Sequence, residues 1–305
     1  MDVSLACLLR MKLTLFVLSF GPLLCSSNAR LEDFPAICAD LDKFAPIRCG
    51  VICCAGTAGK PNIGWCESHE PETIQLNVVG QLNVAEACRQ HLRPDGRPTH
   101  CTIIGTGCIY AYDEEAGHPM GGPSATAYDE ADVPNFVQNV YARLRISLEQ
   151  LLRPFPNVLL LRVSYPIDCA NMHPRSLAAK LLRYSTITSV PTSVTVMDDL
   201  WPRIPRLVES DATGVVNFNN AGTITNERIL QLYHDLVDSN IKWVVDENIP
   251  DEGTKAFSHL SCARLSKLDP LHPVLTAEDA VARGFRTRAQ RLTKHAAKVA
   301  SNEEA

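Results

Sequence analysis

The segment CGVICCAG, Cys49 to Gly56, is an unbroken apolar run that stops at a glycine turn. Apolar at successive positions, it reads as a strand buried on both faces, not a half-exposed one. HCTIIGTG, His100 to Gly107, and NVLLLRV, Asn157 to Val163, repeat the design. Helical patterns lie around them. Leu31, Ile37, Leu41 and Phe44 mark a short amphipathic helix closed by Pro46. Pro71 opens a second, with Ile74, Val78, Leu82, Ala85 and Cys88 at helical spacing. Phe136 to Leu152 reads as a third. Buried strands separated by helices predict a parallel sheet covered on both faces. Right-handed crossovers make it a doubly wound α/β fold. Such sheets bind ligands beyond the carboxyl ends of their strands, where Gly56, Thr106 and Ser164 stand.

Beyond Ser164, prolines 166, 174, 191, 202 and 205 break the rhythm. A strand at Gly214 to Phe218 follows, then a helix from Asn226 to Val237 capped by Thr225. Residues 286–305 are polar and read as a fraying helix or a tail. At the other end, Arg10 and Lys12 precede an apolar stretch, the layout of a secretory signal peptide. The stretch is too short and broken for a membrane span. MKLTLFVLSFG, Met11 to Gly21, equally reads as the first buried strand of the sheet. Both readings stand on the segment alone.

Composition narrows the function. With 305 residues and a net charge of −5, the chain lacks the basic surplus of a nucleic-acid protein. Its 12 cysteines form no paired C-x-x-C spacing, so a zinc ribbon is not expected. Buried free thiols in a reducing compartment fit them better than a disulfide framework. His69, His118 and His173 show no metal spacing, and no metal is expected.

Three pieces converge on the carboxyl edge. Thr106 ends one strand. Tyr141 and Arg145, at i and i+4, share a helix face. In Ala55-Gly56-Thr57-Ala58-Gly59 the backbone can approach a flat or phosphorylated ligand. Hydroxyl, phenol and cation together are suited to protonating a carbonyl oxygen during hydride transfer.

At these residues the sequence resembles the extended short-chain dehydrogenase/reductases. Within them it is similar to the dTDP-4-dehydrorhamnose reductase branch and its plant bifunctional 3,5-epimerase/4-reductases. The matching stretches are RLED at Arg30, CCAGTAGKPNIGWCESHEPETIQLNVVG at Cys53, GTGCIYAYD at Gly105 and DVPNF at Asp132. They continue as LRVSYPI at Leu161, HPRSLAAK at His173, VTVMDDLWP at Val194 and GVVNFNNAG at Gly214. The resemblance runs from about Arg30 to Leu275.

It implies a Rossmann-like core over residues 30–163, after a signal-like segment or remnant first strand at 1–29. It implies a mixed core and substrate lobe over 164–285, before a polar tail at 286–305. The implied reaction epimerises a UDP- or dTDP-4-keto-6-deoxyglucose at C3 and C5, then reduces C4 with NADP or NAD as the cofactor. Thr106, Tyr141 and Arg145 carry the reductase chemistry; Cys108 and Lys180 are the epimerase acid/base pair. Ala55, Gly56, Asn77 and Pro166 join Thr106, Tyr141 and Arg145 around the cofactor, while Trp65 and Arg175 line the nucleotide pocket. The implied partner is the nucleotide sugar, with no nucleic acid and no membrane span. A homodimer and a cytoplasmic location accompany it; the secretory pathway is the alternative if residues 1–29 act as a signal.

Three departures stand out. The phosphate-binding G-x-x-G-x-x-G loop is missing, with only Gly21 left. Arg145 stands where the family has lysine, and its planar fork aims donors differently from a compact ammonium. Gly64 replaces an acidic residue before Trp65. The first two raise an alternative function, a cofactor-impaired pseudoenzyme kept for binding. Taken singly, the site residues have plainer readings. Cys108 alone is an inert buried thiol, Lys180 a solvated charge, and Arg145 a surface partner of Glu149 at i+4. Trp65 and Arg175 read equally as packing and solvent-facing residues.

Overall fold

Each apolar run becomes a strand of one sheet. The computed structural model describes residues 15–18, 24–27, 29–44, 50–59, 62–247 and 255–303. The sheet's parallel part comprises β3 (Gly50–Cys53), β4 (His100–Thr106), β5 (Val158–Val163) and β7 (Gly214–Phe218). They lie in the order β3-β4-β5-β7. Alternate side chains enter different cores, which is why the runs are apolar throughout. Val51, Cys53, Cys101, Ile103, Val158 and Leu160 pack under the helices Phe34–Phe44, Gly80–Gln90 and Val140–Leu152. Ile52, Leu159, Leu161, Val216 and Phe218 pack on the other face, against Trp201, Ile204 and Leu207. Two short parallel strands, β6 (Thr186–Thr188) and β8 (Val244–Asp246), form a separate sheet.

The amino-terminal edge differs from expectation. Of MKLTLFVLSFG, β1 (Leu15–Leu18) is strand, and it runs antiparallel to β3, with Leu15 opposite Cys53 and Leu18 opposite Gly50. β2 (Leu24–Ser27) pairs antiparallel outside it. Chain length explains the antiparallel pairing of β1 with β2. A parallel return needs a crossover of a dozen or more residues, and only residues 19–23 separate these strands. Running antiparallel to β1, β2 points the same way as β3, and Ser27 ends at the carboxyl edge. The signal-peptide reading falls on residues 1–29, which lie largely outside the described residues.

Two helix ends also move. The helix expected from Phe136 begins at Val140. Asn139 caps it, accepting the Ala142 N–H at 2.8 Å, and the Glu67 carboxylate accepts the Val140 N–H at 2.7 Å. Phe136 lies outside that helix as a buried anchor. Residues from Arg286 onward continue a helix of 27 residues, Ala277–Glu303. Its first turns bury Ala280, Val281 and Phe285 with Ile167 and Cys169. Arg283 donates to Asp199 at 2.7 Å, and Arg291 donates to Asn171 at 2.6 Å. The cysteines Cys53, Cys66, Cys88, Cys101 and Cys169 are buried free thiols, as expected.

One charged pair lies inside the main core. Arg162, on β5, has 0% exposure. It donates to both Glu149 oxygens, at 3.0 and 2.5 Å, and to Asn217 at 3.2 Å. Its guanidinium covers the Tyr110 ring at 5.2 Å. Burying both charges is tolerable because each satisfies the other. Glu149→Leu alone should cost about 3 to 5 kcal/mol in urea unfolding. Combining it with Arg162→Met should recover most of that loss.

Candidate active site

The turn after β3 is held by side chains from the helical segments that follow it. Glu70–Ile74 and Gly80–Gln90 flank a single π-helical turn, Gln75–Val79. Such turns occur frequently at functional sites. Buried Asn77, within it, accepts the Thr57 N–H and donates to the Thr57 carbonyl, both at 2.7 Å. Gln81 donates to the Ala55 carbonyl at 2.6 Å and accepts from Arg145 Nη1 at 3.0 Å. Gly56 sits at φ +151°. A Cβ there would meet Arg145 Nη2 and Asn77 Oδ1, each at 2.9 Å. Ala55, Gly56, Asn77 and Arg145 are thus brought together, with Gln81 between them.

Arg145 is 9% exposed, and its guanidinium lies 5.4 Å from the centre of the half-buried Tyr141 ring. The i+4 relation to Tyr141 therefore yields a contact. The alternative pairing with Glu149 does not form, because Glu149 faces Arg162 across the core. Arg145 turns to Gln81 instead, and its Nε is buried without a hydrogen-bond partner.

Thr106 and Cys108 form a second group at the end of β4. Thr106 Oγ1 accepts the Cys108 N–H at 3.1 Å. Cys108 packs with Phe136, Ala142 and Ala256. Ala142 follows Tyr141, so the start of that helix reaches the thiol's surroundings. The sulfur also meets the Thr106 side chain and the Tyr165 backbone. Burial pushes the thiol up, while those two contacts oppose the shift. Tyr165 has φ +36°, a left-handed conformation strained for a bulky residue. Its hydroxyl donates to the Ala256 carbonyl at 3.2 Å.

Arg175 and Lys180 stand apart, around the helix Leu177–Leu181. This helix is joined to the end of β5 by the Leu177 N–H, which donates to the Pro166 carbonyl at 3.1 Å. Partial burial, then Arg175 and Arg183 nearby, push the Lys180 ammonium down from its ordinary range. Trp65 stacks on His69 with centroids 4.0 Å apart, so one indole face is already covered. Among the described residues no group of histidine, cysteine and carboxylate side chains could hold a metal.

Sequence reasoning passed over Gln81 and Tyr165. Gln81 carried a signal: it lies at i+4 from Asn77, a second polar side chain on one helix face. Tyr165 carried a weaker one, an aromatic residue between a buried strand and a proline at the ligand edge.

No family profile matches the chain. A bifunctional dTDP-4-dehydrorhamnose 3,5-epimerase/dTDP-4-dehydrorhamnose reductase from Arabidopsis thaliana is 36% identical over 216 residues, covering 71% of this chain and 68% of the relative. A trifunctional UDP-glucose 4,6-dehydratase/UDP-4-keto-6-deoxy-D-glucose 3,5-epimerase/UDP-4-keto-L-rhamnose-reductase from the same plant is 37% identical over 216 residues. That match covers 71% of this chain but 31% of the relative. Among solved structures, the UDP-rhamnose synthase of Acanthamoeba polyphaga mimivirus superposes with a TM-score of 0.73 at 24% identity, covering 86% of this chain and 89% of its own. A dTDP-4-dehydrorhamnose reductase from Bacillus anthracis, in complex with NADP, superposes at 0.63 with 18% identity, covering 84% and 85%. These two likenesses carry the fold.

The hold on the glycine turn is directly measurable. Asn77→Ala removes both bonds to Thr57, and hydrogen exchange at the Thr57 amide should accelerate about tenfold or more. Amides of β5 should be unchanged.

Proposed function

The chain belongs to the dTDP-4-dehydrorhamnose 3,5-epimerase/4-reductase family of the short-chain dehydrogenase/reductases, and we propose that it converts a UDP- or dTDP-bound 4-keto-6-deoxyglucose into activated rhamnose. The observation that carries this reading is the meeting of Thr106 and Cys108 at the end of β4, with the Tyr141 helix packed beside them. A ketone at C4 held there has Thr106 and Tyr141 as donors to its oxygen and a thiol beside the ring carbons.

The epimerase half follows from that placement. The C3 and C5 protons are acidified by the ketone, since the anion delocalises onto O4. Lys180, pushed down, is the base that takes the proton from one face. Cys108, pushed up, rests as a thiol and returns a proton to the opposite face. Thr106 and Tyr141 hold O4 while it carries charge. In the reductase half, Tyr141 gives its phenolic proton to O4, and Arg145 over the ring steadies the phenolate left behind.

A nicotinamide cofactor, NADP or NAD, supplies the hydride for C4 when bound. Its nicotinamide end has polar and charged residues to meet at the carboxyl edge: Arg145 lies on the Tyr141 ring, and Asn77 and Gln81 close on Gly56 beside it. Ala55, Gly56, Asn77, Thr106, Tyr141, Arg145 and Pro166 would hold that end. The pyrophosphate end is less well served. β1 runs antiparallel to β3, so its last residue, Leu18, faces Gly50 at the amino edge and not the carboxyl edge. The segment after β2 then becomes the one available to phosphate from that side. Trp65 and Arg175 are proposed to line the nucleotide pocket, within a lobe drawn from residues 164–285. Among the described residues no helix is long and apolar enough to cross a membrane. Free thiols support a reducing, cytoplasmic setting, and a homodimer is proposed with it.

Purified protein, given either 4-keto sugar with NADPH or NADH in deuterated water, should form activated rhamnose labelled at C3 and C5. Tyr141→Phe should lower the reduction rate by about 10²- to 10⁴-fold, and Cys108→Ala should abolish inversion at C3 and C5, leaving same-face exchange through Lys180. Because Lys180 is pushed down, exchange should climb with pH on a limb below the ordinary lysine range. Absence of both reduction and exchange with every carrier and cofactor would overturn the assignment.

A further inference from the structure

We propose that the Thr106 hydroxyl serves both halves of the reaction, donating to the C4 oxygen while the enolate stands and to the Cys108 sulfur once that sulfur has released its proton. The proposal rests on the rhamnose-forming reading and adds a second role for Thr106, as partner of the epimerase thiol.

The turn at the end of β4 forces the pairing. Thr106 Oγ1 already accepts the Cys108 N–H at 3.1 Å, which fixes the oxygen beside the residue bearing the thiol. A hydroxyl has one proton to donate, and that proton stays free to turn. The sulfur is within its reach. Cys108 packs against Phe136, Ala142 and Ala256, apolar neighbours that offer an anion no side-chain donor. Two groups oppose the upward push on the thiol, the Thr106 side chain and the backbone of Tyr165. Tyr165 is held against the sulfur at φ +36°, and neighbouring bonds enforce that conformation. Thr195 N–H donates to the Ser164 carbonyl at 2.7 Å, and Ile167 N–H donates to the Thr195 carbonyl at 2.9 Å. Strain persists where the surroundings over-determine it.

The charges balance through the step. The Lys180 amine takes the ring proton and becomes an ammonium. The C–H electron pair delocalises onto O4, where Thr106 and Tyr141 donate to it. The Cys108 S–H bond then breaks, a new C–H bond forms on the opposite face, and the negative charge moves from O4 to sulfur. The Thr106 proton follows that charge by rotating about one bond. Proton return from the ammonium through solvent restores the thiol.

The test uses Thr106→Val, which keeps the shape, and Thr106→Ser, which keeps the hydroxyl. Iodoacetamide alkylation of Cys108 is followed across pH by peptide mapping, without substrate. Solvent deuterium uptake at C3 and C5 is followed without any nicotinamide, so reduction cannot contribute. Thr106→Val should move the alkylation midpoint up by about one pH unit and slow alkylation near pH 8 about tenfold. It should also slow exchange at least about tenfold. Thr106→Ser should restore both to within about threefold. A Val variant that loses reduction but keeps wild-type alkylation and exchange overturns the proposal while leaving the rhamnose reading intact. A wild type that exchanges neither sugar overturns both.

Discussion

A guanidinium sealed from water near the end of β5 is the constraint on which the carboxyl edge of the sheet depends. Arg162 must find its counter-charge inside the protein, and the one it meets is on the helix bearing Tyr141. Helix and strand therefore cannot slide past each other without stranding a charge. The same side chain reaches Asn217 on β7 and lies on the ring of Tyr110, two residues beyond Cys108. Tyr110 in turn donates to the Asp132 carbonyl at 2.8 Å. One cation thus fixes two strands, the Tyr141 helix and the loop carrying the thiol. An apolar pair could fill the space, but it would not specify this register. The phenol's place relative to Thr106 is set from the core outward.

A second level of order comes from neutral side chains. Asn77 and Gln81 satisfy backbone groups of the glycine turn that have no ladder partner. They close on Gly56, where any side chain would strike them. Arg145 joins this level through Gln81. A lysine has no fork with which to approach an amide oxygen and a ring face at once. The arginine is therefore a member of a polar network, and its neighbours are part of how it acts.

Much of this was legible in the sequence, and the misses share a cause. Apolar runs announce buried strands because both faces meet a core, so β3, β4 and β5 were readable. The Tyr141–Arg145 contact was readable because helical spacing is local. The same local rule suggested Arg145 with Glu149, and there it failed, since a buried arginine from another strand had the stronger claim. The start of the Tyr141 helix was misread because Phe136 fits the apolar pattern, although Asn139 is the better cap. The antiparallel pairing of β1 with β2 was encoded in the few residues between them, a count that excludes a parallel return. Gln81 and Tyr165 act through distant backbone, which no period reveals.

The long terminal helix has a consequence for how the protein is made. The loop after Pro166, which leads to Lys180, leans on Arg291 through Asn171, and its Cys169 packs against Gly284, where a Cβ would come within 2.5 Å. During translation these contacts arrive last. The sheet can assemble while the ribosome is still adding residues, but the loop leading to Lys180 waits for residues 284–291. A nascent chain would acquire its glycine turn at Gly56 well before the segment bearing Lys180 is fixed.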